Sequence, residues 1–136
     1  MKKSKNQEEK ILMNRWVFDH AYAMIEEFNM GRSEAFRQAY LVRELLVELG
    51  RGEVVFEYVK QNGDERKARG TVCPGISEKY DAYKYKDKVN RDGYPKLDIA
   101  YWDLDKEAFR SFSIVNVKSI VEVTIKNNEF CEFHEL

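Results

Sequence analysis

The sequence predicts an α+β protein, an N-terminal helical hairpin packed on a small five- to six-stranded antiparallel β-barrel. Three observations carry this. Helical periodicity is confined to the part of the chain before residue 53. An Asn62-Gly63 pair then sits between two strand-like runs in residues 53–72. After it come short apolar runs separated by turn residues. A chain of 136 residues has room for one domain, read as a helical hairpin over 1–52 and a barrel over 53–136 within one compact unit.

From about Glu9 to Phe28 the apolar positions fit a helix. Leu12, Trp16, His20, Ala23 and Met24 share one face, and Val17, Ala21, Ile25 and Phe28 widen it. Asn29-Met30-Gly31 ends it, with Gly31 expected to supply the left-handed residue. Ser33 is expected to cap a second helix, with Glu34 in the first turn where the helix dipole favours an anion. That helix runs to about Leu49 and stops at Gly50. Its apolar side is Phe36, Ala39, Tyr40, Val42, Leu46 and Leu49. So small a helix pair needs something to pack on.

Glu53 to Val59 is the first strand, with apolar groups on both faces. Asn62-Gly63 suits a primed turn, since both residues tolerate positive φ. Glu65 to Val72 returns, with Lys67 and Arg69 on the face opposite Arg66; Gly70 signals a bulge, a bend or a close backbone approach. Residues 73–95 form a long connection, then Leu97 to Asp103 and Ala108 to Ile114 make a second hairpin. Val115 to Lys118 fits one 3₁₀ turn, Ser119 to Lys126 a fifth strand, and Phe130, Cys131 and Phe133 a short closing strand. Closure into a barrel removes exposed edges, and this order is that of SH3-like barrels.

Several segments strengthen the likeness. They are Phe56-Glu-Tyr-Val-Lys60, Gly63-Asp-Glu-Arg66, Ala68-Arg-Gly-Thr71, Tyr101-Trp-Asp-Leu-Asp105, Phe109-Arg-Ser-Phe112 and Val117 to Ile120. The chain thereby resembles a family of bacterial proteins described as SH3 β-barrel fold-containing, common in gut anaerobes and their mobile elements. The helical segment Ser33 to Tyr40 is similar to the segment before the barrel in that family. The resemblance spans roughly residues 12–125; it implies a fold and brings no activity. A narrower similarity, over Arg110-Ser111-Phe112 and the following turn, is to WYL-type ligand-sensing domains. Their Trp-Tyr-Leu signature is absent, so their ligand binding is not carried over.

Composition excludes some classes. A formal net charge of −1 gives no global basic field, so nucleic-acid binding would need a local patch. Cys73 and Cys131 lack CxxC spacing and suit two thiols in a reducing cytoplasm, with one disulfide between them as the alternative; Cys73 is expected at an exposed position before Pro74-Gly75. No window approaches the roughly 20 apolar residues of a membrane span. His20 and His134 lie far apart without metal-ligand spacing, so no metal is expected and His20 is read as a packing imidazole. With no triad, phosphate loop or metal cluster, neither enzymatic activity nor a cofactor is expected.

Three sets of residues remain. Asp103 and Asp105 could act as a carboxylate pair but suit a hairpin turn better. Lys60, Arg66, Lys67, Arg69, Arg110 and Lys118 gather on the two hairpins, and Glu53, Glu57, Asp64 and Glu65 are placed to neutralise them. Arg110, in a strand expected to be central, suits a structural ion pair. The long connection interleaves Lys79, Tyr80, Tyr83, Lys84, Tyr85, Lys86 and Lys88, a pattern that can stack bases, although tyrosines packed on the barrel beside wet lysines are the plainer alternative. The chain is thus read as a cytoplasmic, non-enzymatic interaction module. It would bind nucleic acid or a protein through Lys67, Arg69, Tyr83, Lys84, Tyr85, Lys86 and Arg110. A small-ligand sensor and a structural protein assembling through its helices are the alternatives, with the oligomeric state left open.

Overall fold

A computed structural model describes the backbone of residues 5–83 and 96–126 and the side chains of 14–81 and 96–126. The elements are α1 (Lys5–Phe28), α2 (Arg32–Arg51), β1 (Gly52–Val59), β2 (Glu65–Thr71), α3 (Glu78–Tyr83), β3 (Asp98–Asp103), β4 (Ala108–Ser113), a 3₁₀ turn (Ile114–Asn116) and β5 (Val117–Ile125). The strands form one antiparallel sheet in the order β4-β3-β2-β1-β5. This is the expected α+β architecture of two helices followed by five strands. The proposed closing strand at Phe130–Phe133 lies outside the described residues.

The helices form because their apolar residues recur at helical spacing and find a common core. Trp16, Val17, Ala21 and Met24 of α1 and Ala35, Ala39, Val42, Leu45 and Leu49 of α2 are buried. They belong to one cluster with Val54, Phe56, Tyr58, Ile99, Tyr101, Phe112, Ile114 and Val117. Burying one such side chain contributes about 1.5–3 kcal/mol, so hairpin and sheet stabilise each other. Gln38 of α2 donates through Nε2 to the carbonyls of Ile114 and Val117, each at 2.8 Å, tying the helix to the link before β5.

The helix ends differ in detail from the expectation. Asn29, at φ 53°, supplies the left-handed residue after α1, and Gly31, at φ −64°, is the N-cap of α2. Ser33 therefore lies inside the helix, and no side chain caps it. Phe28 and Tyr40, both expected on apolar stripes, are each 46% exposed. The buried side of α2 carries Ala35, Ala39, Val42 and Leu46, and Tyr40 lies outside it.

The first hairpin turns differently as well. The Gly63 amide donates to the Lys60 carbonyl at 2.9 Å, and Lys60 N to the Asp64 carbonyl at 2.8 Å. Gly63 has φ 90°, whereas Asn62 is not among the residues with positive φ. The loop is thus the three-residue type, a turn closed by a left-handed glycine, rather than a primed pair. Asn62 Oδ1 accepts from the Asp64 amide at 3.0 Å and steadies it.

β1 alternates buried and half-buried residues along its length. At Gly70 the strand β2 pairs with both Val54 and Asp103, so the sheet turns from one neighbour to the next. A Cβ there would stand 2.5 Å from the Tyr101 ring, so the close approach is the reason for that glycine. β4 ends the strand order and is not central. Part of the long connection is helical: α3 occupies Glu78–Tyr83.

Candidate functional site

The hairpin cations are built into the sheet. Asp103 is fully buried at the end of β3. Its Oδ1 accepts from the amides of Asp105 at 3.0 Å and Lys106 at 2.9 Å, which is the turn role anticipated for this pair. Its Oδ2 accepts from Arg66 at 2.5 Å and faces Arg110 at 3.6 Å. Tyr101 shares a hydroxyl hydrogen bond of 2.9 Å with Tyr58 beneath this cluster. Burial and the Tyr58 hydroxyl push the Tyr101 phenol well above its ordinary range. Desolvation alone would lower Arg66, but hydrogen bonds with Asp103 and Tyr101 outweigh it and the net shift is upward. Both groups hold their protons throughout the physiological range.

The exposed cations are paired more loosely. Arg69 reaches Glu53 at 3.4 Å and Asp105 at 3.2 Å, and Lys118 bonds Glu65. Lys79 of α3 bonds Glu107 at 2.7 Å. Pairs this exposed contribute little to stability, but they occupy the groups a phosphate would need. Glu53 and Glu65 are thus two of the acids expected to pair with this set, whereas Glu57 instead accepts from Ser119 Oγ at 3.0 Å.

Of the residues read as binding, Lys67 is exposed on β2, Arg69 lies between two carboxylates, and Arg110 faces buried Asp103. Tyr83 is the last residue of α3, its side chain outside the described set; Lys84, Tyr85 and Lys86 lie outside the described residues altogether. Tyr80, from the same segment, packs against Trp102 and Phe109 and donates to the Val72 carbonyl at 3.0 Å. Cys73, expected at an exposed position, is 1% exposed, because the chain stays against the core until Pro74; its amide donates to Thr71 Oγ1 at 3.0 Å.

His20 packs as expected. Its ring stacks on Trp16 at 3.8 Å between centroids, and Nδ1 lies 2.7 Å from the Trp16 carbonyl, to which it donates. Burial holds its pKa below the ordinary value, against opposing contributions from the Trp16 carbonyl, Asp19 and the Lys96 carbonyl.

A surface the sequence reading did not single out lies on the outside of the helical hairpin. Phe18 and Tyr22, one turn apart on α1, are 50% and 48% exposed. Both meet Phe36 of α2 edge-on, at 5.2 and 5.7 Å between ring centroids. The Arg32 guanidinium stands 6.0 Å from the Tyr22 and Phe36 rings, and that of Arg43 lies 5.0 Å from Tyr40. The i, i+4 spacing of Phe18 and Tyr22, off the main buried stripe, was the available signal. A second apolar group, Val121, Val123 and Ile125, is exposed on β5.

Fold and surface together define a small α+β domain whose helices brace an SH3-like sheet and leave aromatic groups outside. Residues 42–118 match the family WYL_2, Sm-like SH3 beta-barrel fold, and the chain belongs to that family. The match reaches far beyond Arg110–Phe112 and the turn after it, the stretch that carried the WYL-type likeness. No curated protein and no solved structure matches the chain.

Proposed function

We propose that this chain is a non-enzymatic, cytoplasmic interaction module whose partner is a protein met on the outer face of the helical hairpin. The observation that carries this is the pair of exposed rings, Phe18 and Tyr22, set on half-buried Phe36 with Arg32 against them. Aromatic rings and arginine are the groups enriched at protein interfaces, and rings left half in water gain most from being covered. A nucleic-acid partner has less support on the sheet, because Arg66, Arg69, Arg110 and Lys118 already face carboxylates. It would fall to Lys67 and the cations of the long connection.

The test places a photo-crosslinking amino acid at Tyr22 and, in a separate chain, at Lys67, in cells that make the protein. A protein adduct at position 22 and none at 67 is the expected result. A nuclease-sensitive adduct at 67 with nothing at 22 would replace the protein partner by nucleic acid.

A further inference from the structure

We infer that the protein met on this face is a second copy of the chain, in a two-fold dimer that lays α1 of each protomer across α2 of the other. This rests on the protein-interaction reading above and names its partner.

Charge carries the argument. Among the α1 residues whose side chains are described, Asp19, Glu26 and Glu27 are exposed, Arg15 is the one lysine or arginine, and His20 is buried. On α2 the cations Arg32, Arg37 and Arg43 outnumber Glu34 and Glu44, while Arg51 pairs with Glu48. The aromatic cluster is formed by both helices, with Arg32 of α2 against its rings. A two-fold axis through that cluster sets the same patch against itself. It buries ring against ring and brings the acidic flank of α1 onto the basic flank of α2 twice over. A face acidic on both helices, or basic on both, would repel its own copy, because like charges brought together across an interface cost several kcal/mol. The described charges instead lean negative on α1 and positive on α2, an imbalance that a two-fold pairing sets in opposition.

The division can be exchanged. In one full-length variant Asp19→Lys and Glu26→Lys make the α1 flank basic; in another Arg32→Glu and Arg43→Glu make the α2 flank acidic. Circular dichroism confirms that each variant is helical. Light scattering is expected to give a dimer for the wild type. Each variant alone should be a monomer, with self-association weakened by about tenfold or more. An equimolar mixture of the two should return to the dimer mass, since every α1–α2 contact is again between opposite charges. A monomeric wild type at high micromolar concentration, or variants that dimerise as the wild type does, would overturn the proposal. So would a mixture that stays monomeric. If the wild type is monomeric while position 22 still crosslinks to another protein, the self-pairing falls and the interaction reading stands. If position 22 forms no adduct either, both fall.

Discussion

Arg66 donates to the buried carboxylate of Asp103 across 37 residues of sequence, at 2.5 Å. The same carboxylate closes the β3–β4 turn through its other oxygen. One side chain thereby fixes a strand pairing and a turn at once. Asp103→Ala should cost about 3 kcal/mol, since it strands a charge and two amides. Asp103→Asn keeps an oxygen for the turn and should cost less. Urea unfolding of both, with a double-mutant cycle against Arg66→Ala, measures the order and the coupling.

Two glycines are required by space rather than by φ. A Cβ on Gly52 would lie 2.0 Å from the Thr124 carbonyl oxygen, and one on Gly70 2.5 Å from the Tyr101 ring. A ring can tilt, whereas a backbone carbonyl held in a sheet moves only with its strand. Gly70→Ala should therefore cost about 1–3 kcal/mol, and Gly52→Ala more. Thermal unfolding of the two variants side by side tests the ranking; equal losses would contradict it.

His20 makes stability fall on the acid side. Its folded pKa is below the ordinary value of about 6.5, chiefly through burial. Below that value the unfolded chain binds a proton that the folded chain does not. The contribution is therefore whole above about pH 6.5 and is lost as pH falls toward the lowered folded value, by at most about 1.4 kcal/mol per pH unit. His20→Gln should flatten this part of the profile, read from urea midpoints between pH 7.5 and 5.5 (a range of about two units). An unchanged slope would remove His20 as its source.

Gln38 offers a test with opposite signs. Its amide serves two carbonyls, those of Ile114 and Val117. Gln38→Leu leaves both without that donor, at about 1–3 kcal/mol. Gln38→Glu presents an acceptor to two acceptors and should be worse at neutral pH. It should recover as pH falls, because the protonated acid can donate. Denaturation of Gln38→Glu at two pH values decides it.

The parts legible in the sequence were those set by local spacing. Val54, Phe56 and Tyr58 alternate as a half-buried strand must, and Trp16, His20, Ala23 and Met24 repeat as a helix must. Arg110 was legible as an ion-pair residue because a charge between Phe109 and Phe112 needs a partner. That the partner would be Asp103, shared with Arg66, depends on the register pairing Gly70 with Asp103 and Tyr101 with Arg110, which no local pattern encodes. Cys73 looked exposed because Pro74-Gly75 marks a turn; the turn begins one residue later than its burial ends. Tyr40 was assigned inward because helical periodicity gives an apolar arc without giving its width. How much of that arc is covered depends on how closely α1 and the sheet approach.

The bond from Gln38 to the link before β5 bears on where this unit can be cut. Family similarity begins at residue 42, inside α2. Ala35, Gln38 and Ala39 lie upstream of that point, yet two of them are in the shared core and the third holds the link. A boundary of sequence likeness here is not a boundary of folding. A fragment trimmed to the matched residues would keep β1 to β4, retain only the first two residues of β5, and lose half of α2. In this chain the rest of α2 and of β5 comes from outside the matched residues.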